Sequence, residues 1–314
     1  MTRQFDSQTT TDDVLAGVDL SGKRLLVTGV SSGIGVETAR ALTAHGAEVV
    51  GTARDRAKAE AAHEEVGLRI ELVKLDLANL QSVRDCANEL LAEGRVFDAV
   101  IANAGVMATP FGKTRDGFET QFATNHLGHF LLANRIASLI ADHGRLVNLS
   151  SNGHRFADVD LHDPNFDTTP YDPWVAYGRS KTANVLFAVE FDRRHRHRGV
   201  RATALMPGVS QTGLARNVSE QAMAALRVLM TPGPAQPPMP PFAFKTLPQV
   251  AATSVWAATV ADKDEIGGRY LQDCQVATIN DVPGFGIGVR SYALDPARAQ
   301  SLWAKSEALV GETF

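Results

Sequence analysis

The sequence predicts an α/β fold in which a single doubly wound parallel sheet of about seven strands carries helices on both faces. Short apolar runs alternate along the chain with longer segments of helical period, the pattern of strands joined by helical crossovers. The strand segments are continuously apolar rather than alternating, as expected when both faces of a parallel sheet are covered. The chain has 314 residues and no visible internal repeat, a length that suits one large α/β domain or two small ones.

The predicted elements follow one another in regular order. The strands lie at residues 24–29, 47–53, 70–77, 97–105, 144–151, 200–208 and 268–274. The helices lie at residues 34–46, 55–67, 79–94, 116–142, 174–198, 247–260 and 295–311. Residues 231–242 carry six of the 14 prolines, so this stretch forms neither a regular helix nor a central strand. Because the alternation resumes after it, we predict one domain over residues 1–314 with a loop insert.

The composition excludes several classes of protein. Apolar residues make up 44% and charged residues 21% of the chain, which is typical of a globular protein rather than a disordered or fibrous one. A net charge of −4 gives no reason to expect nucleic acid or an anionic membrane as a partner. The start lacks the apolar core of a signal peptide, and no apolar run is long enough to span a membrane. We therefore expect a cytoplasmic protein in which Cys86 and Cys274 are free, buried thiols.

The segment TGVSSGIG places three glycines between the first predicted strand and the first predicted helix. A pyrophosphate at a helix N-terminus needs bare backbone, so that N–H groups reach its oxygens without Cβ atoms in the way. Gly29 then allows the sharp turn, Gly33 the close approach and Gly35 the tight helix-to-strand packing. A purely structural glycine-rich turn is the alternative. The predicted cofactor contacts in this turn are Gly29, Ser31, Ser32, Gly33, Ile34 and Gly35.

The ends of the next two strands bear on the choice of cofactor. An acidic residue at the end of the second strand binds the adenosine ribose hydroxyls, whereas an arginine accepts a 2′-phosphate. Arg54 stands at or just past that end and Asp55 follows it, so NADP(H) is preferred and NAD(H) stays possible. Asp76 and Leu77 end the third strand, where the Asp76 carboxylate would meet the adenine amino group or, alternatively, cap the following helix.

Four positions further along carry groups suited to proton transfer. Tyr177 and Lys181 are four residues apart and therefore share one face of a predicted helix. A free tyrosine has a pKa near ~10, and a nearby ammonium favours the phenolate and moves that pKa towards the working range. Ser150 and Ser151 end a strand, so that a hydroxyl projects from the carboxyl edge of the sheet. Asn125 lies within a long predicted helix, although asparagine is a poor helix former.

These motifs occur in the order found in the short-chain dehydrogenases/reductases, and over about residues 20–275 the chain resembles that superfamily. The matching features are TGVSSGIG, ANAG at 102–105, Asn125, Ser151, YxxxK at 177–181 and PG at 207–208. Three further segments, VNLSSNGH, NHLGHF and GGRYLQDC, are most similar to the retinol-dehydrogenase-like and WW-domain-oxidoreductase-like branch. The resemblance implies a Rossmann-type domain that binds NAD(P).

The resemblance also implies a role for each matched residue. Tyr177 would protonate a carbonyl oxygen or, in reverse, deprotonate an alcohol, while Lys181 would lower its pKa and hold the nicotinamide ribose. Ser151 would hydrogen-bond the substrate oxygen, and Asn125 would anchor a water that links Lys181 to solvent. Tyr177 and Lys181 would also contact the cofactor. The remaining cofactor contacts would be Asn103, Ala104 and Gly105 along the cleft and Pro207, Gly208 and Thr212 at the nicotinamide end.

The chain departs from the superfamily in one spacing. Ser151 and Tyr177 are 26 residues apart, a longer separation than in most members. Residues 152–176 form an active-site insert that resembles one in the retinol-dehydrogenase-like branch. Ser150 is a second candidate for the serine role, and Ser151 is preferred because its place in the SSxxH pattern matches the family.

Residues 209–246 occupy the position of the substrate lid in the resembling family. The segment is rich in apolar residues, which favours a bulky apolar aldehyde, ketone or alcohol as substrate. Alternatively, these residues pack on their own domain or form a subunit contact. The residues concerned are Met223, Leu226, Val228, Leu229, Met230, Met239, Phe242 and Phe244.

Two sharper interpretations are less favoured. His126 and His129, three residues apart on a helix, would suit a metal, but no third ligand stands at a sensible spacing, so we predict helix packing and no metal. The run RRHRHR at 193–198 would suit phosphate or nucleic acid. It lies at a helix C-terminus, where cations offset the helix dipole and remain solvated.

The predicted function is hydride transfer between NADP(H) and the carbonyl or alcohol group of a small molecule. Two alternatives remain: a C=C or imine reductase that uses the same residues, and a cofactor-binding sensor or scaffold without turnover. The helices at 116–142 and 174–198 would allow a homodimer or homotetramer, as in many relatives, unless the insert at 152–176 blocks that face.

Overall fold

The computed structural model describes residues 4–210, 218–230, 244–284 and 286–314. Across these residues one sheet runs in the order β3-β2-β1-β4-β5-β6-β7-β8, and only the last pair is antiparallel. The predicted doubly wound parallel sheet is confirmed, with the short antiparallel β8 added at one edge. The strands are β1 (Arg24–Thr28), β2 (Glu48–Ala53), β3 (Glu71–Lys74), β4 (Phe97–Ala102), β5 (Ile140–Leu149), β6 (Arg201–Met206), β7 (Tyr270–Gln272) and β8 (Gln275–Val276).

Helices cover both faces of this sheet. The first four are α1 (Thr11–Leu15), α2 (Ile34–Ala44), α3 (Arg56–Glu65) and α4 (Leu80–Glu93). Next come α5 (Thr120–Phe122), a π-helical turn at Ala123–Leu127, and α6 (Gly128–Arg135), which run on without a break. The last five are α7 (Pro173–His195), α8 (Glu220–Leu229), α9 (Leu247–Ala258), α10 (Lys263–Ile266) and α11 (Pro296–Val310).

Successive residues of the inner strands enter different cores. On β1, Leu26 packs with the helices of one face, whereas Leu25 and Val27 belong to the core on the other face. Each of these side chains is at most 2% exposed. Two covered faces therefore explain why the strand segments are apolar without alternation.

The predicted helix at 116–142 is too long at both ends. The α-helical residues begin at Thr120 and end at Arg135, and a short 3-10 turn at Ala137–Leu139 leads into β5. Ile140 instead starts β5, where it pairs with Phe97 of β4 across an irregular register. The apolar residues near 140 thus serve the sheet, which the helical periodicity of the sequence did not reveal.

The basic run at 193–198 closes the C-terminal end of α7 with ion pairs. Arg193 and Arg194 both bind the buried carboxylate of Glu190, at 2.6 and 2.9 Å. Arg196 binds Asp192 at 2.6 Å. These contacts support the interpretation of the run as a structural helix end rather than a phosphate site. Within the described part of the chain, no helix has the length and apolar character needed to cross a membrane.

Candidate active site

The strand order reverses between β1 and β4, and the segments that follow these two strands meet at one edge of the sheet. Such a switch point opens a crevice at the carboxyl ends of the strands, where ligands bind in doubly wound folds. Thr28 ends β1 and holds the segment after β4, because its hydroxyl oxygen accepts hydrogen bonds from the N–H groups of Asn103 (2.9 Å) and Ala104 (3.0 Å). The Asn103 amide in turn donates to the Thr28 carbonyl at 2.8 Å.

The glycine turn lies on the same edge and fits a phosphate. Gly29 and Gly33 have φ of 76° and 60°, in the left-handed region that favours glycine. A Cβ at Gly35 would stand 2.2 Å from the Gly29 carbonyl oxygen, so the helix approaches the strand too closely for any side chain. Gly33 caps α2 without a side-chain hydrogen bond, which leaves this helix N-terminus to bind an anion through its backbone.

The end of β2 presents a cation and not a carboxylate. Arg54 directly follows the strand and is exposed. Asp55 is occupied as the N-cap of α3, since its carboxylate accepts the Lys58 N–H at 3.0 Å. A cleft beside them is lined by Arg54, Arg56 and Lys74 among others. This arrangement suits a phosphate better than a pair of ribose hydroxyls.

Asp76 and Leu77 lie beyond the end of β3, at the opening of the crevice. The Asp76 carboxylate accepts the Ala78 N–H at 3.1 Å. The alternative role of Asp76 as the cap of the next helix is wrong, because Asn79 caps α4. Leu77 is buried, and its carbonyl packs so close to Gly128 that a Cβ there would stand 2.6 Å away.

Tyr177 and Lys181 lie one turn apart on α7, and both are nearly fully buried, at 4% and 5% exposure. The Lys181 Nζ lies 5.7 Å from the centre of the Tyr177 ring and donates to the Leu149 carbonyl at 3.0 Å. Gly153 leaves room for the ring to pack against the backbone after β5, because a Cβ there would stand 2.5 Å from it. The phenol and the ammonium are therefore fixed by contacts from two other elements.

Burial moves the two pKa values in opposite directions. Desolvation raises the pKa of Tyr177 to about 12, against a smaller lowering by its hydrogen bond with Ser151. Burial also lowers the pKa of Lys181 to about 8. The expected lowering of the tyrosine pKa is thus not seen in this structure, since loss of hydration acts more strongly on the phenolate than its neighbours do. At neutral pH the phenol keeps its proton, as an acid in carbonyl reduction requires.

The two neighbouring serines have different surroundings. The Ser150 hydroxyl is 3% exposed and donates to the Lys181 carbonyl at 2.8 Å, so it is occupied in the structure of α7. Ser151 hydrogen-bonds Tyr177, and its oxygen accepts the Gly153 N–H at 3.0 Å. Of the two hydroxyls, that of Ser151 is therefore the one beside the Tyr177 phenol.

Asn125 lies in the π-helical turn between α5 and α6 and is fully buried. Its amide oxygen accepts the Val106 N–H at 2.8 Å, and its amide nitrogen donates to the Val106 carbonyl at 3.0 Å and to Ser180 at 2.9 Å. Gly105 lies beside both the Asn125 amide oxygen and the Lys181 ammonium. A Cβ at that position would be 3.0 Å from the oxygen and 3.5 Å from the ammonium nitrogen. The asparagine is thus held beside the tyrosine–lysine pair.

The remaining predicted contacts lie on the far side of the crevice. Pro207 and Gly208 directly follow β6, and Gly208 has φ of 109°. A Cβ at Gly208 would clash with Lys245, whose backbone N–H binds the Val209 carbonyl at 2.9 Å. Thr212 lies outside the described residues, as do Met239 and Phe242 of the predicted lid.

The described part of the lid contacts the site through α8. The indole N–H of Trp174 donates to the Ala222 carbonyl at 2.7 Å. Trp174 meets Tyr177 edge to face at 6.3 Å. An apolar cluster forms around this contact and contains Met107, Ala108, Phe156, Trp174, Tyr177, Val218, Ala222 and Leu226. Not all of the lid faces this way, since Met223, Val228 and Leu229 are exposed.

The segment at 152–176 folds around one carboxylate. Asp163 accepts hydrogen bonds from the backbone N–H groups of residues 167, 168 and 169 and from two threonine hydroxyls. These bonds hold the pKa of Asp163 well below its usual range against the opposing effect of desolvation. Tyr171 ties the segment to the loop after β4 by donating to the Thr109 carbonyl at 2.8 Å.

Sequence reasoning missed Thr28 and Trp174 in this region and assigned His129 to helix packing. Thr28 and His129 join the crevice to the π-helical turn, and Trp174 anchors α8. Thr28 had a usable signal, since it stands directly before Gly29 in the TG of the glycine turn. His129 lies in the NHLGHF segment, but no local pattern shows its bond to Thr28, and Trp174 has no local pattern of its own.

A glycine turn that fits a phosphate, on the same sheet edge as a buried phenol, is the arrangement expected of a nicotinamide-dependent oxidoreductase. The family model described as "short chain dehydrogenase" matches residues 23–223. The chain therefore belongs to the short-chain dehydrogenase/reductase family and is an NAD(P)-dependent dehydrogenase or reductase.

Individual relatives agree with this assignment. Short-chain dehydrogenase/reductase prx1 of Penicillium rubens is 37% identical over 313 residues, which cover 95% of this chain and 89% of that protein. The WW domain-containing oxidoreductase of Drosophila melanogaster is 34% identical over 99% of this chain and 74% of its own length. A crystal structure of a protein from Mycobacterium paratuberculosis has 32% identity and a TM-score of 0.73, with 94% of this chain and 96% of that chain covered. The predicted family and its likeness to the WW-domain oxidoreductases are thus confirmed.

Proposed function

We propose that this protein transfers hydride between NADP(H) and the carbonyl or alcohol group of a bulky apolar small molecule. The observation that carries the proposal is the buried Tyr177, which keeps its proton at neutral pH beside an apolar cluster and faces Ser151. Residues 1–314 would act as one NAD(P)-binding domain, with the insert at 152–176 and the lid at 209–246 bordering the substrate.

The chain's own residues supply binding, position and a proton. NADPH, when bound, supplies the hydride. The α2 N-terminus and the glycine turn would hold its pyrophosphate, the segment 103–105 would line the cleft, and Lys181 would hold the ribose. Ser151 would orient the substrate oxygen, and the Tyr177 hydroxyl would donate its proton to that oxygen, or accept one in the alcohol direction. Asn125 would keep Lys181 in contact with solvent through a water.

The proposed substrate class is inferred from the apolar side chains that pack around Tyr177. The cluster at the phenol offers the side chains of Trp174, Met107, Phe156 and Leu226, all apolar apart from the indole N–H, which is already bound to Ala222. A substrate site bordered by these side chains would bind apolar ligands and leave orientation to a few polar groups. An aldehyde, ketone or secondary alcohol with a bulky apolar body fits this description.

Reversal of charge at Arg54 is expected to change the cofactor preference. Arg54→Asp should raise the Kd of NADPH by about 10- to 100-fold, because a charge-assisted bond to the 2′-phosphate is lost and a repulsion is added. NADH binding should change little or improve. Fluorescence titration with both cofactors measures this, and Arg115→Asp, at an exposed arginine that does not line this cleft, serves as the control. An equal change for NADPH and NADH would remove the basis of the preference.

The rate should depend on pH through Lys181. Burial lowers the pKa of this ammonium to about 8, so the charged form is present below that pH and is lost above it. Because burial raises the pKa of Tyr177 to about 12, we assign the expected limb near pH 8 to the lysine. We expect kcat/KM for carbonyl reduction to be level up to about pH 8 and then to fall by about tenfold per pH unit. A profile measured at saturating NADPH that stays flat or rises to pH 10 would contradict this assignment.

A substrate panel tests the proposal itself. NADPH oxidation would be followed with bulky apolar aldehydes and ketones, and with activated alkenes and cyclic imines of matched size. Turnover with carbonyls alone supports the proposal. Turnover with alkenes or imines alone establishes the other reductase reaction, and tight NADPH binding without any turnover favours a cofactor-binding sensor.

A further inference from the structure

His129 lies on α6, one turn after Asn125, and its buried ring joins two parts of the site that are far apart in sequence. Its Nε2 is 2.9 Å from the Thr28 hydroxyl, and its Nδ1 is 3.0 Å from the Asn125 carbonyl oxygen. The side chain is 2% exposed. Both ring nitrogens are therefore occupied by groups that belong to the crevice.

The neighbours of His129 fix the position of its proton. The Thr28 oxygen already accepts two backbone N–H bonds, from Asn103 and Ala104, so its own proton is directed to Nε2. A carbonyl oxygen only accepts, so Nδ1 must carry a proton and donate it to Asn125. The two requirements agree on one neutral tautomer, with hydrogen on Nδ1.

The bonds continue from Asn125 to the tyrosine helix. The Asn125 amide donates to the Ser180 hydroxyl at 2.9 Å, and this hydroxyl donates to the Tyr177 carbonyl at 2.8 Å. A continuous chain of hydrogen bonds thus runs from Thr28 through His129, Asn125 and Ser180 to the backbone of Tyr177. Every side chain in this chain is buried, so water does not readily replace its members.

We propose that His129 is a positioning residue that couples the cofactor crevice to the proton donor by holding the Asn125 carbonyl against Thr28. It touches neither substrate nor cofactor in this role. The inference rests on the proposed function, since the distance that His129 controls lies between the NADP(H) crevice and Tyr177.

His126 offers a matched control on the same helical segment. It is also a fully buried histidine, and burial lowers the pKa of both rings well below the usual range. Its Nε2 hydrogen-bonds Ser306 of α11, away from the crevice. Leucine at either position removes a buried ring. Of these two rings, only that of His129 connects Thr28 to Asn125.

The test compares His129→Leu, His129→Gln and His126→Leu with the wild type. We expect His129→Leu to lower kcat about 10- to 100-fold, the scale of a small misplacement of reacting groups. His126→Leu should lower kcat less than about threefold, because its ring bonds Ser306 rather than the crevice. His129→Gln retains one donor and one acceptor and should recover most of the rate. Equal kcat losses in the two leucine variants would overturn the proposal.

Two readouts separate this inference from the proposed function. Nitrogen-15 NMR of the wild type should show the Nδ1-protonated tautomer at His129, and NADPH titration should show weaker binding in His129→Leu than in His126→Leu. If no carbonyl is reduced by the wild type, the proposed function fails, and these readouts still decide the positioning role. A protonated Nε2, or the same NADPH affinity in both leucine variants, would reject it.

Discussion

Tyr177→Phe should lower the rate of carbonyl reduction by at least ~10²-fold while the fold and NADPH binding remain close to wild type. General acid catalysis contributes about 10²- to 10⁴-fold, and the phenol hydroxyl is the proposed proton donor. The ring itself would remain, with its packing against Gly153 and Trp174. Initial rates with a carbonyl substrate from the panel, together with an NADPH titration, measure the two properties separately.

Tyr171→Phe is the control for this loss. Tyr171 is less deeply buried than Tyr177, and burial likewise raises its pKa to about 12. Its hydroxyl donates to the Thr109 carbonyl in the loop after β4, and it has no proposed contact with the substrate oxygen. Comparable rate losses in both variants would mean that the Tyr177 effect is structural.

Gly35→Ala is expected to have the second large effect after Tyr177→Phe. It should weaken NADPH binding by more than ~100-fold. A Cβ at this position would stand 2.2 Å from the Gly29 carbonyl oxygen and 2.7 Å from the Asn103 amide nitrogen. Backbone must therefore move, and the α2 N-terminus moves with it, away from the turn that would bind the pyrophosphate. We also expect a loss of about 1–3 kcal/mol in the free energy of unfolding from overpacking. Calorimetric titration and denaturant unfolding measure the two effects.

Gly112→Ala serves as the matched substitution. Its added Cβ would meet only the Thr120 hydroxyl, at 3.3 Å, so both properties should stay near wild type. NADPH binding unimpaired in Gly35→Ala would mean that the pyrophosphate lies elsewhere.

The features of the site that are formed by residues close together in the chain could be predicted from the sequence. The glycine turn, Arg54 after β2 and the spacing of Tyr177 and Lys181 are all local features, and the structure places them together at one sheet edge. The end of α6 was missed because Ile140 pairs with Phe97, a contact between distant residues.

Other features depend on contacts that no local pattern encodes. The link between Thr28 and His129 joins residues 101 positions apart, and the different surroundings of Ser150 and Ser151 follow from a bond to Lys181 on another element. The direction of the Tyr177 pKa follows from burial by several elements together. The type I′-like turn between β7 and β8, with Asp273 and Cys274 at positive φ, lacks the glycine that marks such turns in sequence.

The central claim is that hydride passes from NADPH to a carbonyl carbon beside Tyr177. The most direct measurement uses NADPH that carries deuterium at its transferable position, a substrate from the panel that contains both a ketone and a conjugated alkene, and mass spectrometry of the product. We predict one deuterium on the carbinol carbon of the wild-type product and none transferred by Tyr177→Phe in the same time. Deuterium on the former alkene carbon, or no transfer at all despite bound NADPH, would contradict the account.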